Sequence, residues 1–206
     1  MIQKNKENIS KIAKIFAESL FNDPLHIYYF PDQSTRMKFL VALYHYMVKT
    51  EWQNIYISGE KLESVAIINP PEQPYVAQSN FYKKIPAAIE YISTVGWKNC
   101  KRINEYYYNY GLNIKNRYTE QSQFWYIQNI SVKKEYLGQK YSSIILNPVL
   151  ESADKGQIPA FLETHNPKNI PIFEHFGFHV VSDEIAPYGR IRHIAMLRKP
   201  KIMSMT

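Results

Sequence analysis

Apolar residues at Ile9, Ile12, Ala13, Phe16, Ala17 and Leu20 recur in steps of three and four, with Lys11, Lys14 and Glu18 between them. That spacing predicts an amphipathic helix with one face turned to a core. Asp23-Pro24 ends it, because a residue preceding proline is driven out of helical backbone. A longer helix is expected after the Pro31-Asp32 turn, with Ser34 as N-cap and Met37, Leu40, Val41, Tyr44, Met47 and Val48 as its apolar stripe. Residues 54–58 (NIYIS) and 62–69 (LESVAIIN) are β-rich and separated by Gly59-Glu60-Lys61, the pattern of an antiparallel hairpin. Pro70, Pro71 and Pro74 close the second strand.

From residue 80 to about 116 the pattern is helical again, with Gly96 as the expected interruption and Tyr106, Tyr107, Tyr108 and Tyr110 crowded before Gly111. Residues 123–132 (QFWYIQNISV) give the strongest strand signal in the chain. They lead through a turn into a helix carrying Ile144, Ile145, Leu146, Val149 and Leu150. A short strand at 159–164 (PAFLET), a short helix at 168–176 ended by Gly177, and strands at 178–184 and 190–198 complete an order αα, ββ, α, β, α, β, α, ββ. No internal repeat and no linker divides the chain, so one domain over 1–206 is expected.

Composition narrows the class. With 45% hydrophobic and 15% aromatic residues in 206, the chain has material for a packed core. Its apolar runs are too short for a membrane helix and its first ten residues are polar, so no membrane partner is expected and a cytoplasmic location is read from them. Cys100 is the single cysteine and forms no internal disulfide, which suits a reducing compartment. The charge, 25 Lys+Arg against 18 Asp+Glu, is +7 and favours anionic partners. The basic residues are scattered and do not form the dense block of a nucleic-acid tail. His175 and His179 are four apart, but Gly177 breaks the helix between them. With no HExxH and no cysteine pair, no metal is expected.

The candidate chemistry lies where the strand ending at Val132 hands over to a helix N-terminus, which offers free backbone N–H groups to an anion. There, Ile127, Ile130 and Val132, the turn 133–137, then Gly138, Gln139, Lys140, Tyr141, Ser142 and Ser143, and the run 150–156 (LESADKG) resemble the acyl-CoA-binding segment of the GCN5-related N-acetyltransferases. The next segment is similar too: Phe161-Leu162-Glu163-Thr164-His165-Asn166, Asn169, and Phe173-Glu174-His175-Phe176-Gly177-Phe178 match that family's strand, asparagine and "YExxGF" signature. The resemblance covers about residues 124–184. It implies an α/β fold with a mixed, mostly antiparallel central sheet flanked by helices.

The resemblance also implies acetyl-CoA as acyl donor, with its pyrophosphate wrapped by the loop from Leu137 to Ser143. The family pattern there is Gln or Arg, two residues, Gly, one residue, then Gly or Ala. Leu137, Lys140 and Ser142 stand at those positions, with Gly138 between them. The strand through Asn129, Ile130 and Val132 is expected to splay from its neighbour at a β-bulge and pair with the pantetheine arm, and Asn166 to contact the cofactor. A tyrosine at the position of Phe173 protonates the leaving thiolate in many relatives, and phenylalanine has no proton to give. For the base, Glu163 alternates with Phe161 and His165 on one strand face, opposite Leu162 and Thr164.

The function implied is acetyl transfer to a primary amine of a small molecule or peptide by direct attack, in a monomer or homodimer. Two alternatives stand beside it: an acyl-CoA-binding regulatory module that has lost turnover, given Leu137, Lys140 and Phe173, and, more weakly, a basic nucleic-acid-binding domain built on the tyrosine cluster.

Overall fold

The computed structural model describes residues 3–72, 81–106, 123–186 and 191–201. Three helices come first: α1 (Lys6–Ser19), α2 (Pro24–Tyr29) and α3 (Gln33–Thr50). Each starts on a side-chain cap. Asn5 accepts from the Asn8 N–H, Asp23 from Leu25 and Asp32 from Thr35. Asp32 therefore replaces the expected Ser34, because its carboxylate reaches both the backbone N–H and the hydroxyl of Thr35, at 2.8 and 2.7 Å. The extra helix α2 arises because Pro24, which ends one helix, is also preorganised to begin the next. In α3 the buried stripe is Phe39, Leu40, Tyr44 and Val48, whereas Val41 is exposed.

The strands β1 (Ile55–Ser58) and β2 (Ser64–Asn69) form the expected hairpin, and α4 (Phe81–Val95) and α5 (Trp97–Tyr106) meet at Gly96, whose φ of +86° needs glycine. Tyr106 ends α5, and Tyr107, Tyr108 and Tyr110 lie outside the described residues. Then come β3 (Trp125–Val132), α6 (Tyr141–Lys155), β4 (Ala160–Thr164), α7 (Ile170–Glu174), β5 (His179–Ile185) and β6 (Arg192–Arg198). The six strands make one sheet in the order β1-β2-β3-β4-β6-β5, antiparallel everywhere except between β3 and β4.

Alternation across the sheet sorts the core into two layers. Val65 and Ile67 of β2 pack under α1 and α3 with Phe16, Leu40 and Tyr44. Ala66 and Ile68 point the other way, joining Ile127, Leu162, Ile194 and Met196 under Leu146, Val149 and Leu150 of α6. The far end of α6 is tied down by a bidentate pair, with both terminal nitrogens of Arg198 2.7 Å from the Asp154 carboxylate. No helix among the described residues is long and apolar enough to cross a membrane.

Candidate functional site

The sheet forks at its one parallel junction. β3 pairs with β4 only from Trp125 to Ile127, opposite Ala160 to Leu162. Beyond that point β3 continues beside β2 to Val132, while Glu163 and Thr164 of β4 stay with β6. Ile67 and Ile68 of β2 face Asn129 and Ile127, which leaves Gln128 as an extra residue in β3. Such a bulge bends and twists its strand. The β4-facing edge of β3 beyond Ile127 is thus parted from its neighbour.

The end of β3 leads to the start of α6 through a 3-10 turn, Lys134–Tyr136. Gly138 (φ +77°) and Lys140 (φ +62°) both take left-handed backbone, and Lys140 is the N-cap of α6. A lysine side chain has no acceptor, and α6 has no side-chain cap, unlike α1, α2 and α3. The Ser143 N–H donates to the Lys140 carbonyl at 3.0 Å, and the Tyr141 and Ser142 N–H groups, which have no such partner among the described residues, are left to an outside acceptor. Leu137, Gly138, Gln139 and Lys140 are exposed, and Tyr141, Ser142 and Ser143 are half-buried. The turn is held in place from β2, where the Ser64 hydroxyl donates to the Tyr141 carbonyl at 3.0 Å, and by edge-on packing of Tyr136 on Tyr141.

On the opposite face of the sheet, at the fork, polar side chains form a connected chain. Tyr126 donates its hydroxyl to Glu163 Oε2 at 2.8 Å, and His193 Nε2 lies 3.0 Å from Glu163 Oε1. His193 Nδ1 is 2.8 Å from the Tyr106 hydroxyl, which is 3.0 Å from His165 Nε2. His165 Nδ1 then faces Asp23 Oδ1 at 3.7 Å. The Glu163 and Asp23 side chains each keep 13% of their exposure, and the His193 side chain keeps 2%.

Burial, reinforced by His193 and His26, holds the His165 ring well below the usual histidine range, so it is neutral at neutral pH. Burial raises the Asp23 carboxyl, with partial offset from His26 and from the Leu25 and His26 N–H groups. His26 is itself lowered by burial, and its Nδ1–H donates to the Leu20 carbonyl. Nearby, Asn129 donates to the Tyr44 hydroxyl at 3.3 Å, while Asn129 Oδ1 and Ser131 Oγ are buried with no hydrogen-bond partner among the described residues. Burial raises the Tyr44 phenol, and Asp23 adds to the effect.

The residues named from sequence therefore fall into three places. Leu137 to Ser143 form the turn at the α6 N-terminus. Asn129, Ile130 and Val132 lie along the parted edge of β3, with Ile130 packed against the layer under α6. Glu163 lies on the other face, beside Tyr126. Phe161 shares that face, packing on Tyr126 and Ala195, as the alternation in the sequence required. Two residues have local roles. Asn166 Oδ1 accepts from the Lys168 N–H and starts the 3-10 turn Pro167–Asn169, and Phe173 is buried edge-on against Phe178 at 6.0 Å. Sequence reasoning missed Tyr126 and His193 as partners of Glu163, and Tyr106, His165 and Asp23 in the contacts beyond His193. The alternation of Ile191, His193 and Ala195 was the available signal, since it puts His193 on the Glu163 face once β6 lies beside β4. Among the described residues no three His, Cys, Asp or Glu side chains converge to hold a metal ion.

No family model matches the chain. A 54-residue stretch is 33% identical to an uncharacterized N-acetyltransferase of Schizosaccharomyces pombe, covering 26% of this chain and only 22% of that relative's length. Among solved structures, the histone acetyltransferase HPA2 and related acetyltransferase from Corynebacterium glutamicum is similar over 100% of this chain and 97% of its own, with TM-score 0.65 and 16% identity. Arylalkylamine N-acetyltransferase 2 from Aedes aegypti is similar over 97% and 98% of the two chains, with TM-score 0.59 and 12% identity. At such identities the likeness is one of fold.

Proposed function

The chain has the fold of the GCN5-related N-acetyltransferases, and from that premise we propose that it transfers an acetyl group from acetyl-CoA to a primary amine by direct attack. The observation that carries this reading is the fork. It leaves the edge of β3 beyond Ile127 parted from β4 between an uncapped helix N-terminus on one face and a carboxylate on the other.

The residues present fit the donor. The left-handed turn at Gly138 and Lys140 leaves the first-turn N–H groups of Tyr141 and Ser142 to bind the pyrophosphate, with the Lys140 ammonium adding charge. A Cβ at Gly138 would meet nothing within 4 Å, so the space beside the turn is open. Backbone groups of Asn129, Ile130 and Val132 hold the pantetheine arm as an added strand would be held. Bound acetyl-CoA supplies an activated thioester carbonyl and a thiolate leaving group.

Glu163 is the base. An amine arrives largely as an ammonium ion, and one proton must leave before its nitrogen can attack. Tyr126 and His193 fix the two oxygens of Glu163 by hydrogen bonds, and its residual exposure lets it meet the acceptor at the fork. A second reading, donor binding without turnover, is favoured by one observation: Phe173 fills a core position and offers no acid to the thiolate.

The test is calorimetry with acetyl-CoA followed by thiol release over a panel of amines. Binding with release supports transfer, binding without release across the panel supports the second reading, and no binding overturns both. In Ser142→Trp the indole fills the turn, and affinity is expected to fall at least tenfold, ~1.4 kcal/mol.

A further inference from the structure

The fork depends on where the extra residue of β3 falls, and a row of buried amides fixes that place. We propose that Asn54 and Asn69 are positioning residues for the acyl donor: they pin Gln128 as the bulge residue and so hold the parted edge of β3 in the register that receives the pantetheine arm. This rests on the reading of that edge as the donor's site.

The row runs from the end of α3 to the bulge. Asn54 Nδ2 lies 3.4 Å from Oε2 of Glu51, the C-cap of α3, and donates to Asn69 Oδ1 at 2.7 Å. Asn69 Nδ2 in turn donates to Gln128 Oε1 at 2.8 Å. A carboxylate only accepts, so Glu51 fixes which end of the Asn54 amide is the nitrogen, and each amide then sets the next. Asn54 and Asn69 keep 3% and 5% exposure, so a break in the row leaves a buried polar group unmet.

These amides stand where the core would take apolar side chains. Val65 and Ile67 of β2 pack under α1 and α3, and Asn69 is the next position of the same alternation. An apolar residue at 69 would suit that layer and would leave Gln128 without its donor.

The bulge needs such a pin. A bulge residue has no opposite number in the neighbouring strand, so the backbone ladder alone does not decide which residue is extra. With Gln128 extra, Ile67 faces Asn129 and Ala66 faces Ile130. Were Ile130 the extra residue instead, Ala66 would face Asn129 and turn its side chain away from Tyr44 into the layer under α6. Backbone N–H and C=O directions alternate with the side chains, so the groups offered along the parted edge would change as well. The Asn69–Gln128 bond ties the extra residue to a fixed point of β2, and Asn54 holds that point against the end of α3.

Acetyl-CoA calorimetry and amide hydrogen exchange on the full chain test the pin, and exchange needs no ligand. Gln128→Met keeps the length of a half-buried side chain and removes the acceptor, and Asn69→Leu removes the donor. Each is expected to weaken acetyl-CoA binding about tenfold, the upper end of what one hydrogen bond contributes. Each should also speed exchange at residues 129–132 while leaving Ala195 and Met196 of β6 unmoved. The double variant should bind no more weakly than either single one, because both break the same link. Gln128→Glu still accepts from Asn69 and is expected to restore binding and exchange to within about twofold of wild type. Wild-type affinity in Gln128→Met, additive losses in the double variant, or faster exchange spreading to Ala195 and Met196 in Gln128→Met overturns the proposal. An equal loss in Gln128→Glu also overturns it, by assigning the effect to the amide nitrogen. If the wild type does not bind acetyl-CoA while the exchange pattern holds, the functional reading fails and Asn69 still pins the bulge. Wild-type binding with variants that neither lose affinity nor exchange faster does the reverse.

Discussion

His193 on β6 points its Nε2 at Glu163 Oε1 across 3.0 Å, although thirty residues separate them in the chain. β6 reaches Glu163 because it lies against β4, with Glu163 opposite Ala195 and Thr164 opposite Ile194. The proposed base is therefore oriented by a strand that a linear reading of the motif segment does not include.

Replacing Glu163 tests the proposed chemistry directly. Glu163→Gln keeps the shape, with one acceptor oxygen where the carboxylate has two facing Tyr126 and His193, but cannot take up the acceptor's proton. Thiol release with any accepted amine is expected to fall about a hundredfold or more, in line with the usual worth of general-base catalysis. Acetyl-CoA affinity, measured by calorimetry, should stay within twofold because Glu163 lies on the other face from the α6 turn. A variant that releases thiol at the wild-type rate would remove Glu163 from the mechanism.

Lys140 can be separated into its backbone and its charge. Its φ of +62° lies where L residues are strained and glycine is not, which gives a physical reason for the family glycine at this position. Asparagine tolerates left-handed backbone and carries no charge. Lys140→Asn is therefore expected to keep or slightly raise the melting temperature while raising the CoA dissociation constant several-fold and flattening its salt dependence. Equal affinity and an equal salt slope would mean that only the backbone of this position serves the site.

His165 gives the fold an acid weakness. Its folded pKa is held well below the ordinary value, first by burial and then by His193 and His26. Below about pH 6.5 the unfolded chain takes up a proton that the folded chain refuses, so stability falls as pH drops through that range. Denaturant unfolding at a series of pH values from 8 toward 5 is expected to show the decline, and His165→Gln, which does not titrate, should flatten it. An unchanged slope in the variant would place the effect elsewhere.

Local pattern predicted most of the elements because their driving forces are local. The α1 stripe, the hairpin at Gly59, the break at Gly96 and the β3-turn-α6 unit all follow from spacing and turn residues. The alternation of Phe161, Glu163 and His165 against Leu162 put Glu163 on its observed face. What stayed hidden was long-range. Nothing near Asp23 says that it will face His165, and Tyr106 looked like one of four equivalent tyrosines until α5 set it between two histidines. Asp32 outcompeted Ser34 as a cap through a choice of two residues in register, which composition alone does not decide.

Phe173 bears on whether the chain turns over or only binds. Its ring is nearly buried, edge-on to Phe178 and within the layer that includes Ile194 and Met196. By the family resemblance, a phenol at this position meets the departing thiolate, so Phe173→Tyr adds a single oxygen to a ring the core already holds. If the hydroxyl found no partner, it would cost about 1–3 kcal/mol. If it emerges at the fork, the residual exposure of 8% is enough for it to be solvated, and the cost is small. Acid assistance is worth roughly a hundredfold where proton transfer limits the rate, about 2.7 kcal/mol of barrier, and less for so good a leaving group as a thiolate. The expected result is a thiol-release rate about tenfold higher, an acetyl-CoA affinity unchanged by calorimetry, and a melting temperature within a few degrees of wild type. Faster release with unchanged affinity means that the missing acid is what slows the native chain. A variant equally stable and equally slow, with the pH profile of release the same in both proteins, means that the thiolate leaves without help from this position. No turnover in either protein, with acetyl-CoA bound tightly and a broad amine panel tried, favours a chain that holds the donor without spending it.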